Sequence, residues 1–176
     1  MKKYFLIIPS IIFFFTVAIF FYFLIEERNP SELPSALVKK KVPIFETSSL
    51  LNKKSFLSTK EFSNEIILVN FFASWCVPCR VEHAFMQSLS NEGIKIIGIN
   101  YKDDPQQAIQ WLEELGNPYS NVAIDSNGRI AIDWGVYGIP ETFIVNTKNI
   151  IQYRHVGPLT KKEYNKFYSK ILEIKE

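Results

Sequence analysis

The sequence predicts an α/β fold, a sheet with flanking helices, preceded by a single N-terminal transmembrane helix. Three observations carry this prediction. Tyr4 to Ile25 is a run of 22 residues without a charge. Beyond it, short apolar runs of strand length alternate with amphipathic helical patterns, as layered α/β domains require. The chain has 176 residues, 47% of them hydrophobic, which suits one domain with a packed core plus an additional segment.

The N-terminal run comes first. At 1.5 Å rise per residue, a helix of this length spans the ~30 Å hydrocarbon core of a bilayer. Tyr4 and Tyr22 stand near its ends, where amphipathic rings prefer the interface. A cleaved signal peptide would have an apolar region of only about 7–15 residues and small residues at the cut. Here Glu26-Glu27-Arg28 follows directly. The expectation is an uncleaved anchor over residues 1–25. Lys2 and Lys3 favour a cytoplasmic N-terminus, but Arg28 and Lys39 to Lys41 lie on the other side, so charge alone leaves the orientation open. Residues 26–41, with Asn29-Pro30, Pro34 and the lysine run, read as a linker.

Residues 42–176 form the expected soluble domain. Six of the 20 Lys and Arg and three of the 18 Asp and Glu fall in residues 1–41. That leaves 14 basic against 15 acidic residues beyond, a net of −1. Such a domain has no electrostatic reason to bind nucleic acid.

Within it, Val42 to Phe45 reads as a short extended segment. Residues 46–64 carry mixed signals, with a strand near Ser55–Leu57 and a short helix at Thr59–Ser63. Ile66 to Ala73 is a nearly continuous apolar run, as a central strand buried on both faces requires. A helical pattern follows Cys79, with Val81, Ala84, Phe85 and Leu89 on one face and Arg80, Glu82, His83 and Gln87 largely elsewhere. Ile94 to Asn100 is a second strand. Asp104-Pro105-Gln106-Gln107 opens a helix with an N-cap and a first-turn proline, and Ala108, Trp111, Leu112 and Leu115 form its buried stripe. Val122 to Ile124 reads as another strand, and 130–138 is ambiguous. Thr142–Val145 and Ile150–Tyr153 read as a hairpin. Thr160 to Glu163 is a capping box opening a final helix with Tyr164, Phe167, Ile171 and Leu172 on one face.

The chemistry centres on the chain's two cysteines, Cys76-Val77-Pro78-Cys79. A bridge three residues long closes almost no loop, so its value is chemical rather than structural. A Cys-x-x-Cys between a buried strand and a helix is a thioredoxin-like redox signature. The spacing puts Cys76 at the helix N-terminus, where unpaired N–H groups and the dipole stabilise a thiolate. Cys79 falls one turn inside, shielded until a mixed disulfide forms. Zinc would want four ligands, and only His83 and His155 stand elsewhere, without repeating the spacing. No metal or other cofactor is expected. Both histidines, Trp111 and Trp134 read as structural. Tyr137 and Phe143 suit either a substrate groove or the core.

Residues 70–79 (NFFASWCVPC) with Arg80-Val81-Glu82-His83 resemble the active site of the DsbE/CcmG family, thioredoxin-like proteins of cytochrome c maturation. The likeness runs on through Gly98 to Asp104, Trp111 to Tyr119, Gly135 to Phe143 and Tyr153-Arg154-His155, most of Val42 to Gly157. Residues 46–64 show little of it. The resemblance implies a membrane-tethered thiol–disulfide reductase facing the periplasm. It implies a DsbD- or CcdA-type membrane electron donor. It also implies delivery to the haem-binding cysteines of apocytochrome c, directly or through a CcmH-type relay. Pro140 matches the family's cis-proline, whose backbone would pair with an extended substrate beside Cys76. Glu141 follows it and is expected near the dithiol. Glu82 lies one turn after Cys79. Burial would raise either carboxyl toward neutrality, and either could then carry the proton of Cys79. Trp75 is expected to cover the site. A general envelope oxidoreductase and a non-enzymatic apocytochrome-binding module are the alternatives.

Overall fold

The computed structural model describes residues 4–25, 36–52, 55–62 and 65–175. They belong to two compact units divided after Pro30. The first contains α1 (Tyr4–Ile25). From Ile7 to Leu24 its apolar side chains point outward on all sides, and it is long and apolar enough to cross a membrane. The Thr16 hydroxyl donates to the Ile12 carbonyl at 2.8 Å, so even this polar group is satisfied within the helix.

The second unit is built on a five-stranded sheet. Its strands are β3 (Ile67–Phe72), β4 (Lys95–Tyr101), β5 (Asn121–Asp125), β6 (Glu141–Val145) and β7 (Ile151–Val156), in the spatial order β5-β4-β3-β6-β7. β3 pairs parallel with β4 and antiparallel with β6, and all six of its residues are buried. The central strand is therefore the one read from the apolar run, and it carries one polar residue, Asn70, at its middle. The helices α2 (Val77–Asn91), α3 (Pro105–Leu115) and α5 (Lys161–Lys175) join the core cluster on one face. The other face packs Phe71, Phe143 and Trp134 with α4 (Arg129–Asp133), a short helix within the stretch the sequence left ambiguous. Asp125 caps it, its carboxylate accepting from the N–H groups of Ile130 and Ala131 at 3.1 and 2.9 Å. This is the thioredoxin-like α/β arrangement expected.

Both sheet edges are covered, which removes open strand edges. Along β5, the hairpin of β1 (Glu46–Ser48) and β2 (Phe56–Ser58) approaches through Ser49, which bridges Ala123, and Thr47, which donates to the Ile124 carbonyl at 2.8 Å. The helix expected at Thr59–Ser63 is a single 3-10 turn, Thr59–Glu61. Val42 to Phe45 forms no strand of its own.

Along β7 the structure departs from the expected linker. Residues 26–35 of that linker lie outside the described residues. Residues 37–41, however, are docked on the domain. Lys39 N–H donates to the Ile151 carbonyl at 2.7 Å, and Ile151 N–H donates to that of Lys40 at 2.9 Å. Leu37 and Val38 pack against the core cluster of Phe71 and Phe143. The open edge of β7 supplies hydrogen-bonding groups that the lysine run's backbone satisfies, while the ammonium groups stay exposed.

A second departure concerns the face of α2. Its buried residues are Cys79, Glu82, His83, Met86 and Leu89, whereas Val81 is exposed and Phe85 half-buried. Residue type suggested one stripe, but the helix phase follows Cys79, Met86 and Leu89. Two ionisable side chains lie in that phase and find polar partners there. The N-terminus of α3 is as expected, with Asp104 accepting from the N–H groups of Gln106 and Gln107.

Gly98 on β4 sits between two aromatic rings. A Cβ there would lie 2.9 Å from the Phe72 ring and 3.1 Å from that of Tyr119. These rings are stacked with centroids 4.7 Å apart. Gly98→Ala is therefore expected to destabilise the domain by about 1–3 kcal/mol, the usual cost of overpacking. Denaturant unfolding of the full-length protein in detergent measures this, and a variant of parental stability would contradict the tight stack.

Candidate functional site

The end of β3 and the start of β6 lie at the same end of the sheet, because Phe71 pairs with Glu141 across antiparallel strands. The dithiol follows the first and the proline loop precedes the second, so topology alone brings them together. Cys76 is the N-cap of α2, and Pro78 occupies the first turn, where its missing N–H costs nothing. The Cys79 N–H donates to Cys76 Sγ at 3.1 Å. The two cysteines are joined in a disulfide with S–S 2.04 Å. Both are nearly enclosed, Cys76 4% and Cys79 1% exposed. The Ile139–Pro140 bond is cis, and the Ile139 carbonyl oxygen lies 3.8 Å from Cys76 Sγ.

Three apolar side chains that flank this enclosed pair in sequence, Trp75, Val77 and Val81, are exposed. Trp75 is 56% exposed and is held at its edge, its Nε1–H donating to the Lys102 carbonyl at 3.2 Å. The residue before it is pinned more firmly. The Asp103 carboxylate accepts from Ser74 N–H at 2.6 Å, the Ser74 hydroxyl at 2.8 Å and Asn100 Nδ2 at 2.8 Å. The loop after β4 thus fixes the approach to Cys76.

The two glutamates have different fates. Glu82 lies on the buried face of α2, one turn after Cys79, and is 1% exposed. Its Oε1 accepts from Asn70 Nδ2 at 2.8 Å and its Oε2 from the Leu159 N–H at 3.0 Å. Burial pushes its pKa up to about 8, although both hydrogen bonds favour the ionised form. Its titration therefore lies close to neutrality, on the buried face of α2 that also carries Cys79.

Glu141 is not beside the dithiol. Side chains alternate across a strand. Ile144 packs in the cluster that holds Cys76 and Cys79, whereas Phe143 and Val145 pack in the opposite one. Glu141 shares the parity of Phe143 and Val145, and so lies on the far face. There its Oε2 accepts from Arg154 Nε at 2.7 Å, with both side chains buried, and Oε1 accepts from Tyr137 N–H at 3.3 Å. The Tyr137 ring lies over the Arg154 guanidinium, 4.3 Å away. Glu141 ties the proline loop to β7, with its charge matched by a permanent cation. Adjacency to Pro140 in sequence misled because one residue along a strand reverses the face. Phe143, left open between groove and core, is wholly core, and Trp111 and Trp134 are buried as read.

Three residues of the site lie within the stretches that carry the resemblance but have no role assigned from the sequence. Asn70 stands on β3, Thr142 opposite it on β6 and Tyr119 just before β5. Asn70 Nδ2 also donates to Thr142 Oγ1 at 3.0 Å, and the Tyr119 hydroxyl donates to Asn70 Oδ1 at 2.8 Å. A lone amide inside the apolar run Ile66–Ala73 was the available signal. His83 and His155 are also buried on this face. His83 Nε2 lies 2.8 Å from the Gly116 carbonyl oxygen, and burial lowers the pKa of both histidines, keeping them neutral.

The comparisons with known proteins agree on the class. The Redoxin family model matches residues 37–171. The thiol:disulfide interchange protein DsbE of Escherichia coli (strain K12) is 43% identical over 163 residues, 90% of this chain and 88% of that one. Its namesake in Vibrio cholerae serotype O1 is 40% identical over 145 residues, 82% of this chain and 79% of that one. Among solved structures, a Chlorobium tepidum chain assigned as a DsbE superposes with a TM-score of 0.71 at 22% identity, covering 80% of this chain and 99% of that one. At that identity the likeness speaks for the fold.

The buried carboxyl makes stability depend on pH with a definite sign. Unfolded, Glu82 loses its proton near the ordinary value of 4.5; folded, it keeps it to about 8. Between those values the unfolded chain gains from ionising and the folded one does not, so this group lowers stability as pH rises across that window. Glu82→Gln removes the effect. The melting temperature of the variant relative to the parent is expected to rise from pH 5 to pH 8.5. A constant difference would contradict the raised pKa.

Proposed function

The chain belongs to the DsbE family of thiol:disulfide interchange proteins and is a thiol–disulfide oxidoreductase; from that premise we propose that it is a membrane-anchored reductase facing the periplasm, supplying electrons for cytochrome c maturation. The observation that carries the proposal is the pairing of an N-capping Cys76 with a buried acid, Glu82, on the same helix face as Cys79.

The reaction follows from that geometry. In the reduced protein, the Cys76 thiolate attacks one sulfur of a client disulfide, and the client's other sulfur leaves as a thiolate that takes a proton. Cys79 then gives its proton to the Glu82 carboxylate and attacks Cys76 Sγ. The mixed disulfide breaks, the second client thiolate leaves and is protonated, and the Cys76–Cys79 disulfide remains. Two electrons have passed to the client. The exposed ring of Trp75 and the proline loop beside Cys76 offer the docking surface, and the loop's backbone suits an extended peptide.

Direction of electron flow rests on electrostatics. Strong oxidants of this kind stabilise their reduced form through a very acidic nucleophilic thiol. A carboxyl beneath the dithiol adds negative charge when it ionises and opposes that stabilisation. The client we propose is the Cys-x-x-Cys-His segment of apocytochrome c, whose thiols must be reduced for haem attachment, reached directly or through a CcmH-type relay. A DsbD- or CcdA-type membrane protein would reduce the disulfide again. An oxidising compartment gives a dedicated reductant its purpose, and α1 supports an anchor for it.

Two experiments test this. Cys79→Ala should accumulate a mixed disulfide on Cys76 with its partner, identifiable after alkylation by mass spectrometry. Adducts that form only on Cys79 in the converse Cys76→Ala variant would reverse the roles. A membrane-impermeant thiol reagent should label the reduced protein in intact spheroplasts; labelling only after lysis would place the domain in the cytoplasm.

A further inference from the structure

Building on the proton-transfer reading above, we propose that Tyr119 is a positioning residue, holding Asn70 in the one orientation that donates to the Glu82 carboxylate. Asn70 is fully enclosed and can present either its oxygen or its amide nitrogen toward Glu82. The observed arrangement uses it completely. Oδ1 accepts from the Tyr119 hydroxyl, while Nδ2 donates to both Glu82 Oε1 and Thr142 Oγ1. An ionised carboxylate can only accept, so this is the orientation that receives the Cys79 proton.

The turned-over amide is the competitor. It would aim Oδ1 at Glu82, where it accepts from the protonated carboxyl and from the Thr142 hydroxyl. The Tyr119 hydroxyl opposes this by giving Oδ1 a donor on the opposite side. Without it, the observed orientation leaves a buried oxygen short of a partner. Turning the amide over would not repair the loss, because it would leave both Nδ2 hydrogens without an acceptor; the amide instead loses the donor that anchors and polarises it, and Nδ2 donates less well to the Glu82 carboxylate.

The fold delivers that hydroxyl with some care. Tyr119 is 5% exposed, its ring stacked on Phe72, in space that Gly98 leaves free. Its own N–H donates to Asn117 Oδ1 at 2.9 Å. Burial raises the Tyr119 pKa well above its ordinary value, so the phenol stays a donor at every working pH. Among the described residues, the titratable groups that share this face with Glu82 include Tyr119, Cys76, Cys79, His83 and His155, with Tyr153, Tyr164 and Tyr168 packed against it from β7 and α5 and Arg80 on the outer side of α2. Burial keeps both histidines neutral, and Glu163 and Lys166 of α5 act on His155 in opposite senses.

The test follows the second half of the reaction alone. Reduced full-length protein in detergent micelles is mixed with one equivalent of 5,5′-dithiobis(2-nitrobenzoate). The first coloured thiolate reports attack by Cys76, and the second reports resolution by Cys79. The second rate is measured from pH 6 to 9.5, with melting temperature recorded beside it. In the parent the rate should rise with an inflection near the Glu82 titration at about 8. Tyr119→Phe should move the inflection to higher pH and slow resolution at pH 7 about two- to tenfold, the range one hydrogen bond's net worth implies. In a Glu82→Gln background, Tyr119→Phe should change nothing further. The proposal is overturned if Tyr119→Phe leaves the profile in place while Glu82→Gln alters it. It is also overturned if Tyr119→Phe acts equally in both backgrounds. An unaltered profile in Glu82→Gln itself would instead overturn the proton-transfer reading, and this proposal with it.

Discussion

A carboxylic acid buried between a helix and a sheet must be given partners or stay protonated, and the placement of Glu82 organises much of this domain. An isolated buried charge is prohibitively costly. Here the cost is divided. Burial alone would keep the proton on, while the Asn70 amide and the Leu159 N–H pull in the other direction, leaving the group close to neutrality. Those partners come from separate elements. Asn70 requires a polar residue in the most buried strand, Tyr119 requires a missing side chain at Gly98, and Leu159 requires the chain to fold back over α2 after β7. A buried polar network of this kind rigidifies when fully satisfied, and its acid shares the buried face of α2 with Cys79.

Glu141 shows how differently the same residue type behaves on the other face. Its charge is matched by Arg154, buried with it, and the Tyr137 backbone completes the arrangement. Removing one partner of such a pair typically costs about 3–5 kcal/mol, because it strands the other. The pair therefore acts as a fastening between β6, β7 and the loop that brings Ile139 against Cys76. One acid titrates close to neutrality and the other holds a loop, and the sheet separates them.

Much of this architecture is legible in the chain. The apolar run at Ile66–Ala73 identifies the central strand, Asp104 with Pro105 identifies a helix start, and the dithiol after a buried strand identifies the chemistry. What escaped reading has common causes. The face of α2 reads from residue type as Val81, Ala84, Phe85 and Leu89, which leaves Glu82 and His83 off the stripe, whereas the helix phase puts both on the buried face. Glu141 was placed by its distance along the chain from Pro140, which ignores strand parity. Asn70 and Tyr119 are 49 residues apart, and nothing local to either announces that they meet. The lysines at 39–41 look like a tether because their side chains are charged, whereas their backbone is what the sheet edge uses.

The central claim is that this dithiol gives electrons rather than takes them, and the equilibrium reduction potential of the Cys76–Cys79 pair tests it most directly. The full-length protein in detergent can be equilibrated with glutathione buffers at pH 7 and its thiols trapped with a maleimide. A value well below about −180 mV, toward the thioredoxin range near −270 mV, is the result predicted for a reductant. A value near the −120 mV of the oxidant DsbA would contradict it.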